Sequence, residues 1–217
     1  MKTEIIRINN GDQTEVFMKA GKLLKEGKTV AFPTDTVYGL GAVYNDREAV
    51  RRVFKAKGRP ENKPLCILIS DISQVCLLAA DVPEAAEKLM ERFWPGALTL
   101  IFKKNISAGI PDEVTAGKDT IGIRMPGDRA ALGIIRAAGC PLAVPSANRS
   151  GARSAASAQD VIDDLDGRID MIIDRGDCPI GVSSTILDVS SEDIKILREG
   201  TISTADIEKY TGIKVSV

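Results

Sequence analysis

Two polar clusters hold the residue types from which a binding chemistry could be built. The first runs Lys55-Ala-Lys57-Gly-Arg59-Pro60-Glu-Asn-Lys63-Pro64, with Arg51 and Arg52 one helical turn earlier. Pro60 and Pro64 stiffen it, which lowers the entropy lost when the cations are presented. The second runs Pro145-Ser146-Ala147-Asn148-Arg149-Ser150-Gly151 straight after the apolar run 142–145, with Ser154 and Ser157 beyond it. Hydroxyls and backbone amides in such a turn suit phosphate oxygens. Together the clusters describe a pocket for something polyanionic with a hydrogen-bonding body, such as a nucleotide.

Four further strand termini repeat the theme. Pro33-Thr34-Asp35-Thr36-Val37-Tyr38-Gly39-Leu40-Gly41 follows a buried strand, where α/β sheets place ligands. Arg124 ends the strand Thr120 to Arg124, suited to a bidentate carboxylate or phosphate partner. Gly181 to Asp188 brings hydroxyls to a strand start, and Arg198 brings a cation to a strand end.

The absences are equally informative. With no histidine, Ser-His-Asp and Cys-His machinery is excluded. No Walker A or G-x-G-x-x-G sequence occurs. Cys66, Cys76, Cys140 and Cys178 form no C-x-x-C pair, so neither a zinc site nor a disulfide framework is expected, and Cys66 and Cys76 read as buried thiols. Formal net charge is −1, which argues against a broadly basic surface. No apolar run approaches a bilayer span and the start lacks a signal-peptide core, so a cytoplasmic protein with no membrane partner is expected.

The elements that must position these groups follow from periodicity. Strands are predicted at 4–8, 29–32, 65–69, 98–102, 120–124, 142–144, 171–173, 184–187 and 195–197. Helices are predicted at 12–25, 48–56, 83–93, 128–138, 158–165 and 204–210. Ala85, Leu89 and Phe93 read as the inward face of the 83–93 helix, and the stretch 103–118 reads as a mobile loop. Strands alternate with helices early and cluster late. That order gives an α/β fold, a twisted mixed sheet flanked by helices, as one domain over residues 1–217.

The ordered set Pro33-Thr-Asp-Thr-Val-Tyr-Gly-Leu-Gly41, Lys57-Gly-Arg-Pro60, Phe93-Trp-Pro-Gly96, Gly122-Ile-Arg124, Pro145-Ser-Ala-Asn148, Ser183-Ser-Thr185 and Arg198-Glu-Gly200 resembles the YrdC-like family of threonylcarbamoyl-AMP synthases, over about residues 5–200. The resemblance implies a sheet around a large concave basic cavity, in the single-domain form. It implies formation of L-threonylcarbamoyl-adenylate and pyrophosphate from L-threonine, bicarbonate and ATP, with Mg2+ accompanying ATP. A threonylcarbamoyl transferase machinery would then modify tRNA.

By motif position, the resemblance makes Lys57 and Arg59 catalytic. It assigns Arg59, Lys63, Thr120, Ser146, Asn148, Ser154 and Arg198 to ATP, and Thr36, Tyr38, Arg124 and Ser184 to threonine. No protein metal ligand is implied. Leu68 replaces a histidine frequent in the family's threonine pocket, and Ser183 replaces a frequent glutamate. The competing reading is a non-catalytic module binding tRNA or double-stranded RNA. An aromatic content of 4% is poor for base stacking.

Overall fold

Short apolar runs bounded by turn residues become the strands. These are β1 (Glu4–Arg7), β2 (Val30–Phe32), β3 (Gly39–Val43), β4 (Cys66–Leu68), β5 (Leu98–Lys103), β6 (Thr120–Arg124), β7 (Leu142–Ala143), β8 (Met171–Asp174), β9 (Thr185–Asp188) and β10 (Lys195–Arg198). In the computed structural model, which describes residues 2–9, 11–212 and 214–216, they form one mixed sheet in the order β1-β8-β2-β3-β7-β4-β6-β5-β9-β10. The helices are α1 (Thr14–Lys25), α2 (Arg47–Lys57), α3 (Val75–Leu78), α4 (Glu84–Phe93), α5 (Asp112–Thr115), α6 (Arg129–Ala138), α7 (Ala158–Leu165) and α8 (Thr204–Thr211).

Local chemistry sets their ends. The Asp46 carboxylate accepts from Ala49 N at the start of α2, and Gly58, in the left-handed region at φ 60°, ends it. Asp128 accepts from Ala130 N and Ala131 N to start α6, and Gly139 ends it. Ser157 and Asp160 form a capping box on α7.

The two halves of the sheet are covered differently. Around β2, β3 and β8, one face packs on Phe17, Leu24, Ile134 and Ile135 of α1 and α6. The other packs on Val53, Val161 and Leu165 of α2 and α7. Beyond β7, alternation sends Ile67, Leu100, Ile121, Ile123 and Leu187 into a core with Ala86, Leu89 and Met90 of α4. The opposite face of these strands carries Cys66, Thr99, Arg124 and Ile186, which line a cavity.

The mixed α/β sheet expected from the sequence is present, and α7 has its predicted bounds. Four expectations fail. β3 lies where Gly39-Leu40-Gly41 reads as a turn. A Cβ at Gly39 would meet Val144 Cγ1 at 2.5 Å, and one at Gly41 would meet Phe32 Cε1 at 2.8 Å. The glycines therefore serve close packing within the sheet. The 103–118 stretch is built, not loose: it holds a 3-10 turn and α5, Val114 and Thr115 are fully buried, and Leu65 N donates to Val114 O at 2.8 Å. The buried face of α4 is Ala86, Leu89 and Met90, whereas Ala85 and Phe93 are only partly buried. Cys76 is exposed and Cys66 partly so, whereas Cys178 is buried. No helix among the described residues is long and apolar enough to cross a membrane.

The α1–α6 contact depends on two small residues. A Cβ at Gly21 would meet the Ala137 carbonyl carbon at 2.5 Å, and one at Gly133 would meet Phe17 Cδ2 at 2.4 Å. Gly21→Val should therefore lower the unfolding free energy by about 1–3 kcal/mol, read from urea denaturation. An unchanged midpoint would show that the helices do not cross at this distance.

Candidate functional site

Strand ends and the turns leaving them bring the polar clusters together. The β2–β3 turn supplies Thr34 and Thr36, and the segment after α2 supplies Arg59. β5 supplies Thr99 and the end of β6 supplies Arg124. The segment after β7 supplies Ser146, Ser154 follows, and β9 and β10 bring Ser183, Ser184 and Arg198. They enclose a cavity of about 250 Å³ whose lining includes three arginines and no carboxylate.

Arg124 is held from three sides. Its Nε donates to Gly96 O at 2.8 Å, Nη1 to Thr36 Oγ1 at 2.8 Å, and Nη2 to Asp35 Oδ1 at 2.6 Å. Arg124 and Asp35 are 6% and 8% exposed, so this ion pair is out of water. The turn is fixed further because Thr34 Oγ1 donates to Val37 O at 2.6 Å and accepts from Thr36 N at 3.1 Å. A guanidinium has five N–H donors, so two of Arg124's remain for a ligand.

Arg198 donates from Nε and Nη2 to Ser184 O, at 3.0 and 2.8 Å. Ser184 Oγ lies 2.8 Å from Thr99 Oγ1. Arg59 donates to the carbonyls of Lys63 and Pro64, at 3.2 and 2.8 Å. Partial burial lowers the pKa of both arginines, and for Arg198 the Arg124 charge adds to the effect. Both stay charged, since a guanidinium is not deprotonated at physiological pH. Burial pushes the Cys66 thiol up to about 11, so it is no nucleophile at neutral pH.

Of the predicted site residues, Thr36, Tyr38, Arg59, Arg124, Ser146, Ser154, Ser184 and Arg198 share this cavity. Leu68 and Ser183, the two departures from the family pattern, line it as well. Four residues stand elsewhere. Lys57 is buried, and its Nζ donates to the carbonyls of Ser146 and Asn148. It therefore positions the Ser146 turn and does not reach into the cavity. Asn148 is buried too, with Nδ2 donating to the carbonyls of Arg149 and Ala152 at 2.8 and 2.9 Å. Lys63 is exposed outside the lining. Thr120 occupies the far end of β6 beside Lys103, about 13 Å of strand from Arg124.

Tyr38 contributes its body but not its hydroxyl. That group donates to Gly176 O at 2.8 Å and accepts from Arg175 N at 3.1 Å, and burial raises its pKa.

Thr99 and Cys66 also line the cavity with no site role expected from the sequence, as does Thr34 of the 33–41 turn. A signal for Thr99 was available, because a lone hydroxyl interrupts Leu98-Thr-Leu-Ile-Phe102 on the face opposite Leu98, Leu100 and Phe102. Cys66 has no such signal.

The sheet is thus a mixed α/β one whose central strands bring three arginines and a set of hydroxyls to one cavity. A family model for Sua5/YciO/YrdC, described as telomere recombination, matches residues 22–200. Threonylcarbamoyl-AMP synthase of Bacillus subtilis is 49% identical over 194 residues, and that of Pyrococcus abyssi 47% identical over 193. Each match covers 89% of this chain and 56% of the relative. The solved structure of Pyrococcus abyssi Sua5 complexed with L-threonine superposes with a TM-score of 0.94 at 44% identity, covering 99% of this chain and 63% of that one. The chain belongs to the Sua5/YciO/YrdC family and spans about half the length of the curated relatives it matches first.

Two outcomes test the site's construction. Arg124→Ala would leave Asp35 buried without its partner, so a loss of about 3–5 kcal/mol is expected in chemical denaturation. Asp35→Asn with Arg124→Met should recover much of it, and full stability in the single variant would refute the buried pair. Lys57 is the second. Burial, with the Arg59 charge, lowers its pKa from 10.5 to about 8. Below pH 8 it is protonated in both folded and unfolded chains. Between 8 and 10.5 only the unfolded chain keeps the proton, so stability rises with pH across that window. Relative to Lys57→Met, the native chain should gain stability from pH 7.5 to 10, and a flat or falling difference would rule out the depressed pKa.

Proposed function

We propose that this chain is an L-threonylcarbamoyl-adenylate synthase, converting L-threonine, bicarbonate and ATP into threonylcarbamoyl-AMP and pyrophosphate. The observation that carries the reading is the convergence of Arg59, Arg124 and Arg198 with a set of hydroxyls on one cavity. The relatives' activity and the threonine bound to the Pyrococcus abyssi protein support it.

The chemistry needs no protein nucleophile, which accords with the absence of histidine. Threonine's amine condenses with bicarbonate to a carbamate, releasing water. A carbamate oxygen attacks the α-phosphorus of ATP, and the bond from that phosphorus to the α,β-bridging oxygen breaks as pyrophosphate leaves. Fixed guanidinium groups stabilise the charge on the phosphoryl oxygens. Holding three reactants together removes much of the entropic barrier.

Arg124's two spare N–H groups suit the threonine carboxylate, with Thr36 and Ser184 beside it. Arg59 and Arg198 suit the phosphates, with Ser146 and Ser154 on the nucleotide side. Mg2+ is expected with ATP, but the residues present do not form a cage for it. The lining has no carboxylate, and no metal-holding cluster of His, Cys, Asp or Glu occurs among the described residues. Its ligands would be phosphate oxygens and water. Cytoplasmic threonylcarbamoyl transferase machinery acting on tRNA would consume the product.

Purified chain should release pyrophosphate only when ATP, threonine and bicarbonate are all present, with threonylcarbamoyl-adenylate detected by mass spectrometry. Release independent of threonine, or none at all, would overturn the reading and return RNA binding as the alternative. Arg59→Ala should lower kcat/KM by about 10²-fold or more. It should leave the thermal transition in place, because the Arg59 head bonds only to the Lys63 and Pro64 carbonyls.

A further inference from the structure

A second groove lies away from the cavity, between α2 and the turn that enters β8. Its volume is about 600 Å³, and Arg51, Arg52, Lys55, Arg168, Glu48, Asp170 and Thr29 line it. Both acids are already committed. Glu48 Oε1 pairs with Arg51 Nη1 at 2.9 Å. Asp170 Oδ2 accepts from Thr29 N at 2.9 Å and from Thr29 Oγ1 at 3.1 Å, with Lys28 Nζ 4.0 Å from Oδ1. Arg51 is further engaged by Glu113 at 3.0 Å. Arg52, Lys55 and Arg168 have no ion-pair partner among the described residues. Arg52 and Lys55 are three residues apart on one helix face, and Arg168 lies on the opposing wall.

We propose that this groove binds a compact polyphosphate, two or three linked phosphates such as inorganic pyrophosphate, tripolyphosphate or the phosphate tail of a nucleotide. Three uncompensated cations on two facing walls match a short run of adjacent negative charges. The volume is that of a small-molecule site. The cations occupy one helical turn and one facing residue, too short a track for a nucleic-acid backbone. No aromatic side chain lines the groove to stack a base, and a chain of net charge −1 does not draw in an extended polyanion. The site stands apart from the proposed catalytic cavity and does not depend on that reading.

The test is an NMR titration at fixed ionic strength with pyrophosphate, tripolyphosphate and sulfate. Saturable shifts are expected at the amides of 48–56 and 167–170, with sulfate far weaker. The charge-reversed variant Arg52→Glu/Lys55→Glu/Arg168→Glu should lose at least tenfold in affinity, and Arg59→Ala should keep those shifts. If charge reversal prevents folding, the all-glutamine variant should still lose severalfold. Shifts confined to 34–39 and 144–146, or sulfate matching tripolyphosphate, would overturn the site. An RNA oligonucleotide displacing tripolyphosphate from the same amides would overturn the assignment to a compact ligand.

Discussion

The ion pair between Arg124 and Asp35 ties together segments that the chain keeps far apart. Arg124 ends β6, Asp35 sits in the β2–β3 turn, and Gly96 lies after α4; the guanidinium of the first bonds to both of the others. A buried charge without partners would be costly, and breaking such a pair leaves the other charge stranded. The turn carrying Thr34 and Thr36 is thus fixed against the central strands by electrostatics as well as by its own hydroxyl bonds. The same pair neutralises Arg124 within the fold, so on the proposed reading its remaining donors would orient a ligand more than attract one.

A second tether acts on the other wall. Lys57 ends α2 and its ammonium bridges the Ser146 and Asn148 carbonyls, while Ser150 N donates to Lys57 O at 2.8 Å. This explains why one helix end and one strand-exit turn, ninety residues apart in sequence, act as a unit. The α2 capping glycine Gly58 then lets the chain turn so that Arg59 enters the cavity while Lys57 stays below it. A lysine and an arginine two residues apart thus take different places, one tethering backbone and one lining the cavity.

How much of this could be read from the chain depended on whether a residue's surroundings were local. Helix ends were legible because Asp128 and Gly139 act within their own turns, and α7 because Ser157 caps it in place. The strands 98–102 and 120–124 announced themselves by apolar content. β3 did not, because its glycines answer to Val144 and Phe32, partners distant in sequence. The same holds in the site. Hydroxyls and arginines at strand ends pointed to a shared cavity, but motif position alone could not tell that the Lys57 ammonium and the Asn148 amide nitrogen would be spent on backbone carbonyls. Nor could it place Thr120, which shares a strand face with Arg124 but stands at the other end of the strand. Side-chain direction follows from alternation; depth along the strand follows only from pairing.

Charge accounting within the cavity decides where the most highly charged substrate would sit on the proposed reading. Arg124 already faces a carboxylate. Arg59 faces carbonyl dipoles and Arg198 the carbonyl and hydroxyl of Ser184, and neither has an acidic partner among the described residues. A cation satisfied by neutral acceptors retains nearly its whole field, and that field strengthens as water leaves. Two such groups with hydroxyls between them favour a polyphosphate, whereas a paired arginine with two spare donors favours a single carboxylate. On that reading, the separation of nucleotide and amino-acid sides would follow from which arginine the fold has neutralised, with the α-phosphorus between a strongly positive wall and a nearly neutral one.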